Sequence, residues 1–173
     1  MKHIILTSFL LFNSCVIDTV PLTECDKLSV YQVTKFPIKI SLTEEFPEEH
    51  LEAIYLAIDE WNSVAGVDLF IIEPNPITTE CGWVKVSNLT YDLKYKKFGT
   101  TKWNSCFAFI RLVSLESFEL NKNTMKHELG HVLNFYHDSD RASIMYEDIL
   151  LDQKIKAAHI EKMNDVAQCS TFN

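Results

Sequence analysis

The chain has no C-x-x-C pair, no surplus of positive charge and no apolar run long enough to cross a bilayer. Each absence removes a class of protein. Without C-x-x-C spacing, a zinc site built from cysteines is not expected. Sixteen Lys and Arg stand against 24 Asp and Glu, a net charge of −8, so nucleic acid and anionic membrane surfaces are not expected partners. The apolar stretch Ile4 to Phe12 is broken by Thr7 and Ser8 and falls well short of the roughly 20 residues that span a bilayer. Internal repeats and low-complexity tracts are also missing. What remains is an ordinary globular composition: 173 residues, 47% hydrophobic, enough for one domain with a core and expected to be a monomer.

The pattern along the chain points to a mixed α+β fold. Phe36 to Leu42 (FPIKISL) alternates apolar and polar residues and reads as a first strand. Pro47 to Asn62 reads as an amphipathic helix, with Leu51, Ile54, Tyr55, Ile58 and Trp61 on one stripe and Ala65-Gly66 as its stop. Trp61 is expected in the core. Val67 to Ile72 and Gly82 to Asn88 read as strands, with a turn at Pro74-Asn75-Pro76. Thr90 to Ser105 shows no clear period and reads as a solvated loop near a cleft, carrying Lys94, Lys96, Lys97 and Lys102. Cys106 to Val113 (CFAFIRLV) is the next expected strand. A linker over Ser114 to Asn121 leads to a helix capped by Asn123 or Thr124. A last amphipathic helix is expected over Asp152 to Gln168.

The most informative stretch is Lys126 to Asp138, KHELGHVLNFYHD. On a helix, residues four apart stand about 40° apart in azimuth and about 6 Å apart in rise. His127 and His131 therefore stack on one face and can reach a single metal ion. Glu128 lies beside that ion, where a base acting on a metal-bound water belongs. His137 is the expected third ligand, with Asp138 as the alternative. His137 reaches the site only if the helix stops and the chain turns back. Asn134 is the residue that tolerates the left-handed conformation such a stop needs, so a positive φ is expected there. Gly130 costs about 1 kcal/mol in a helix interior relative to alanine, which points to close backbone packing at that position. His3, His50 and His159 have no partner pattern and are not expected to bind metal.

HELGHVLNFYH resembles the metzincin zinc-endopeptidase signature, H-E-x-x-H-x-x-G-x-x-H followed by a Met-turn. Downstream, HDSDRASIMYE places Met145 eight residues after His137 with Tyr146 next, a spacing similar to the matrixin branch. Asn134 stands where the family has glycine, and Glu147 where matrixins commonly have proline. The resemblance implies a metzincin-like zincin, with a mixed twisted sheet packed against an N-terminal helix and the metal-binding helix, followed by a C-terminal helix. It implies zinc held by His127, His131 and His137, Glu128 as general base, Met145 as the floor of the site and Tyr146 in the substrate pocket. It also implies an antiparallel edge strand near the zinc that pairs with an extended peptide or protein substrate; Cys106 to Val113 is the candidate, with an internal strand that offers no edge as the alternative. The implied activity is zinc-dependent endopeptidase. A second expectation, from another class, is a catalytically idle, zinc-binding surface lipoprotein used in adhesion or partner binding. The presence of Glu128 counts against it.

The N-terminal 15 residues read as an export signal, with Phe12-Asn13-Ser14-Cys15 similar to a bacterial lipobox. Lipidation at Cys15 is the first expectation and ordinary cleavage nearby the second, so the protein is expected either as a cell-envelope lipoprotein or secreted. Any membrane contact would run through that anchor. Residues 16–35 read as a leader, and 36–173 as the catalytic domain. Cys25, Cys81, Cys106 and Cys169 then form an even set that suits an exported domain. The expected pairing is Cys25 with Cys169 and Cys81 with Cys106, with free buried thiols as the alternative.

Overall fold

The computed structural model of the chain describes residues 36–43, 45–74, 82–88, 97–103 and 107–162. The expected export signal and leader and all five cysteines (Cys15, Cys25, Cys81, Cys106 and Cys169) lie outside the described residues, as do most of the expected turn at 74–76 and the expected end of the last helix. The fold is α+β, a five-stranded mixed sheet in the order β2-β1-β3-β5-β4 with its helices on one face.

Alternation builds the sheet. In β1 (Ile38–Leu42), Ile38 and Ile40 turn inward and are buried, while Lys39 turns away. β2 (Phe70–Ile72) and β3 (Trp83–Asn88) run parallel to β1 on either side. β5 (Phe107–Leu112) runs parallel to β3 and buries Ala108, Ile110 and Leu112. β4 (Gly99–Trp103) pairs antiparallel to β5 at the edge.

One expectation is corrected here and one alternative decided. The stretch read as a loop, Thr90 to Ser105, contains strand β4. Of the two readings of Cys106 to Val113, the internal strand holds: it contains the interior strand β5, and β4 is the antiparallel edge. Nor does β4 show an apolar alternation. Its inward positions Gly99 and Thr101 meet the carboxylate of Glu128 rather than the hydrophobic core.

α1 (Glu48–Ala65) crosses the sheet between β1 and β2. Pro47 occupies its N-cap position, and Glu48 and Glu49 lie in the first turn, where acids complement the helix dipole. It runs three residues beyond the expected end and stops at Gly66, whose φ of 68° is the left-handed conformation glycine adopts freely. Its inward stripe is Ala53, Ile54, Ala57, Ile58, Trp61 and Ala65. Trp61 is fully buried, as expected, and its indole N–H donates to the Lys126 carbonyl at 3.0 Å. The neighbouring Asn62 accepts from the Leu69 and Phe70 amides and donates to the Phe70 carbonyl, fixing the entry to β2.

α2 (Phe118–Val132) carries the motif. Its cap is Ser117, whose hydroxyl accepts from the Leu120 amide, rather than Asn123 or Thr124. Asn123 instead ties the helix to a distant loop, its side-chain amide donating to the Leu150 and Leu151 carbonyls. The last helix begins at residue 157 rather than Asp152. The segment before it is tied down instead, with the Lys154 carbonyl accepting from the Ile144 amide at 2.8 Å. Among the described residues, no helix is long and apolar enough to cross a membrane.

Candidate metal centre

α2 ends as the motif requires. Asn134 has a φ of 62°. The Phe135 amide donates to the Gly130 carbonyl at 2.9 Å, and the Asn134 amide donates to the His131 carbonyl at 3.0 Å. This pair of bonds is a Schellman closure with asparagine in the left-handed position. The chain then reverses and brings His137 back over the helix.

The three imidazoles converge. Nε2 of His127 and Nε2 of His131 are 3.0 Å apart, and Nε2 of His137 lies 3.2 and 3.1 Å from them. Nitrogens sharing one tetrahedral ion at about 2.0–2.1 Å stand about 3.3 Å apart, so the triangle has the size of a tetrahedral face. The other ring nitrogens settle the tautomers. Nδ1–H of His127 donates to the Ile144 carbonyl at 2.7 Å, and Nδ1–H of His131 donates to the Phe135 carbonyl at 2.9 Å. The neutral rings of His127 and His131 then face each other through bare Nε2 lone pairs. Two lone pairs do not make a hydrogen bond, whereas a cation among them turns their repulsion into coordination. Among the described residues, these three histidines bring their ligand atoms within 4.8 Å of one another and can hold a metal ion.

The loop that follows is cross-braced. The Asp138 amide donates to the Met145 carbonyl at 3.0 Å. Oδ2 of Asp138 accepts from the Ser143 hydroxyl at 2.5 Å, and Oδ1 accepts from the Asp140 amide at 2.9 Å. The alternative ligand Asp138 is thus committed to the loop, and His137 is the residue that joins the cluster. Met145 is fully buried beneath the helix, and a Cβ added at Gly130 would fall on its sulfur. This is the close packing expected at Gly130. Tyr146 is half-buried, and its amide donates to the Ser143 carbonyl.

Glu128 is almost entirely buried. The Thr101 hydroxyl donates to its Oε2 at 2.5 Å, and Gly99 leaves so little room that an added Cβ would stand 2.7 Å from Oε1. Burial pushes the carboxyl up to about 7, against the Thr101 hydrogen bond and the charge of Lys97. Burial likewise pushes His127 down to about 4, opposed by its bond to Ile144 and assisted by His131 and His137. His131, His50 and His159 are also lowered, each chiefly by burial. His50 and His159 stand apart from the cluster: His50 Nδ1 meets the Ser114 hydroxyl at 2.7 Å, and His159 Nδ1 accepts from the Lys156 amide.

Gly99, Thr101 and the carbonyls of Phe135 and Ile144 belong to the site, and sequence reasoning misses them. The two carbonyls leave no mark in a sequence. A signal for β4 did exist: Thr100 and Thr101 are adjacent β-branched residues, followed at Trp103 by an aromatic.

These shifts predict how stability varies with pH. A histidine whose folded pKa is lowered binds more protons when unfolded, so its contribution is lost as pH falls below about 6.5. Glu128 acts oppositely, and its raised pKa removes stability as pH rises toward 7. His127 moves from 6.5 to about 4 and Glu128 from 4.5 to about 7, so the two largely offset. His50, His131 and His159 remain. The melting temperature of metal-free protein should fall between pH 6.5 and 5; a melting temperature that rises over that interval contradicts these assignments.

Neither a scan against protein-family models nor a search of curated proteins returns a match to this chain.

Proposed function

We propose that the chain is a zinc-dependent endopeptidase of metzincin type, closest to the matrixin branch. One observation carries the reading: a tetrahedral face of three imidazole nitrogens with a buried carboxyl on the adjacent helix residue. Three neutral imidazoles leave one position of a tetrahedral zinc site for water, which suits a catalytic ion rather than a structural one. When bound, zinc supplies a Lewis acid that polarises the peptide carbonyl and lowers the pKa of water.

The protein's own groups do the rest. Glu128 takes a proton from the attacking water and returns it to the departing amine. Burial disfavours the ionised carboxyl, which strengthens its hold on a proton taken from water. Thr101 orients that carboxyl from the edge strand. β4 itself has a described strand on one side only, and an extended peptide can pair along the other. Tyr146 would line the pocket beside the scissile bond. The Asn134 reversal and the packing of Gly130 on Met145 support the family reading. An idle zinc-binding lipoprotein has no use for a buried carboxyl held by the edge strand. Export, with Cys15 as lipid site, belongs to the same proposal.

The test is cleavage of a mixed peptide library by the zinc-loaded chain. Internal bonds should be cut, cutting should stop on chelation, and added zinc should restore it. A zinc-replete chain that cuts nothing removes the reading.

Thr101 yields a sharper expectation. A hydrogen bond to a charged group is worth about 1.5–3 kcal/mol, so Thr101→Val should lower kcat about tenfold or more with KM and zinc content little changed. Thr101→Ser, which keeps the hydroxyl, should restore kcat. Equal loss in both variants would mean that the methyl packing matters and the hydrogen bond does not.

A further inference from the structure

Every charged residue in the sheet is a cation. Lys39 lies in β1, Lys85 in β3, Lys102 in β4 and Arg111 in β5, and none of the five strands contains Asp or Glu. This is a chain whose acids outnumber its bases by 24 to 16. The register places all four cations on one face. Lys39 is opposite Trp83, Lys85 opposite Phe109, Arg111 opposite Ser87 and Thr100, and Lys102 opposite Phe109. It is the face turned away from the helices, since the alternating residues Ile40, Val84, Val86, Ala108 and Ile110 form the core.

Lys39 and Lys85 lie over aromatic rings, 5.1 Å from the centroid of Trp83 and 4.5 Å from that of Phe107. Lys102 and Arg111 are exposed. None of the four cations has a carboxylate partner among the described residues. Unpaired cations gathered on one face of an acidic protein attract anionic groups and repel cationic ones.

The position of the patch indicates the kind of anion. Lys102 is on β4, the strand along which a substrate peptide is proposed to pair. A peptide added there turns every second side chain onto this same face. Those side chains stand about 4.5–5.5 Å from the β4 residues opposite them and recur about every 6.8 Å. One falls beside Lys102 and the next beside Thr100, across which lies the longer Arg111. We propose that Lys102 and Arg111 form a subsite for acidic side chains, and that the chain acts on peptides bearing Asp or Glu at alternate positions of the paired segment. The proposal rests on reading β4 as the peptide-pairing edge.

The test uses binding, so that it does not depend on turnover. Zinc-loaded full chain carrying Glu128→Gln is titrated against two labelled ten-residue peptides, followed by fluorescence anisotropy. They differ only at alternate positions, Glu in one and Gln in the other. The acidic peptide should bind about tenfold tighter at low salt, as expected of two exposed ion pairs, and the gap should narrow as salt is added. Lys102→Glu with Arg111→Glu should reverse the preference. Lys102→Ala with Arg111→Ala, a milder change to the sheet, should bring the two affinities within about threefold. Equal affinities in the parent, no measurable binding of the acidic peptide, or a preference that survives both double variants overturns the proposal. Cleavage by the chain with Glu128 intact is scored separately. An acidic preference without cleavage keeps the subsite and rejects the peptidase, whereas cleavage without the preference does the reverse.

Discussion

Glu128→Gln should leave zinc bound and lower peptide hydrolysis by about 10²–10⁴-fold, the usual contribution of a positioned acid–base group. The substitution keeps the size of the side chain and an oxygen that can accept from Thr101, so neither the strand contact nor the histidine cluster has cause to move. It removes only the ability to take and return a proton. It also makes a second, thermodynamic prediction. Burial raises the Glu128 carboxyl of the metal-free chain from 4.5 to about 7, so stability is lost as pH rises between those values and the full cost remains above them. The amide carries no such cost. At pH 8 the metal-free variant should therefore melt at or above the temperature of the metal-free parent. An inactive variant that also melts markedly lower would point to a structural role for Glu128 and remove its assignment as the base. Full peptidase activity in a well-folded variant would refute the mechanism outright.

His137→Ala and Asp138→Ala should separate cleanly in metal affinity. Removing His137 deletes one of three ligands. Its zinc affinity should drop by more than about a hundredfold, beyond the 10–100-fold typical of losing an outer-shell partner. Asp138→Ala deletes a brace, the carboxylate that holds Ser143 and the Asp140 amide. It should lower affinity by less than the loss of His137, because the hydrogen bonds of this carboxylate go to Ser143 and Asp140 and not to an imidazole of the cluster. Competition against a chromogenic chelator measures both. Equal losses in the two variants would mean that Asp138 binds the ion directly.

The histidine cluster was legible in the sequence because its geometry is local. The three clustered histidines, the buried Glu128 and the helix-ending asparagine fall within eleven residues, and helix periodicity with one left-handed residue decides which side chains meet. Where the core is hydrophobic, the strands were legible too: Ile38 and Ile40 flank the half-buried Lys39, and Val84 and Val86 flank the half-buried Lys85. β4 was hidden for a physical reason. Its inward face abuts a carboxylate, so the positions that would have been Val or Ile are Gly99 and Thr101. The start of α2 was hidden similarly. Its first turns bury Asn121 and Asn123, whose amides bond to the Leu115 backbone and to the carbonyls of Leu150 and Leu151. Polar side chains buried against loop backbone erase the apolar stripe that marks a helix. The late start of the last helix has the same origin, because Gln153 and Lys154 bond to the loop before it.

Zinc-edge X-ray absorption on the purified chain, with metal content measured on the same sample, tests the central claim most directly. One zinc per chain, with three imidazole nitrogens and one further light atom at about 2.0–2.1 Å, is the predicted result. A sulfur shell at about 2.3 Å, or a metal-free chain that takes up no zinc, would contradict it.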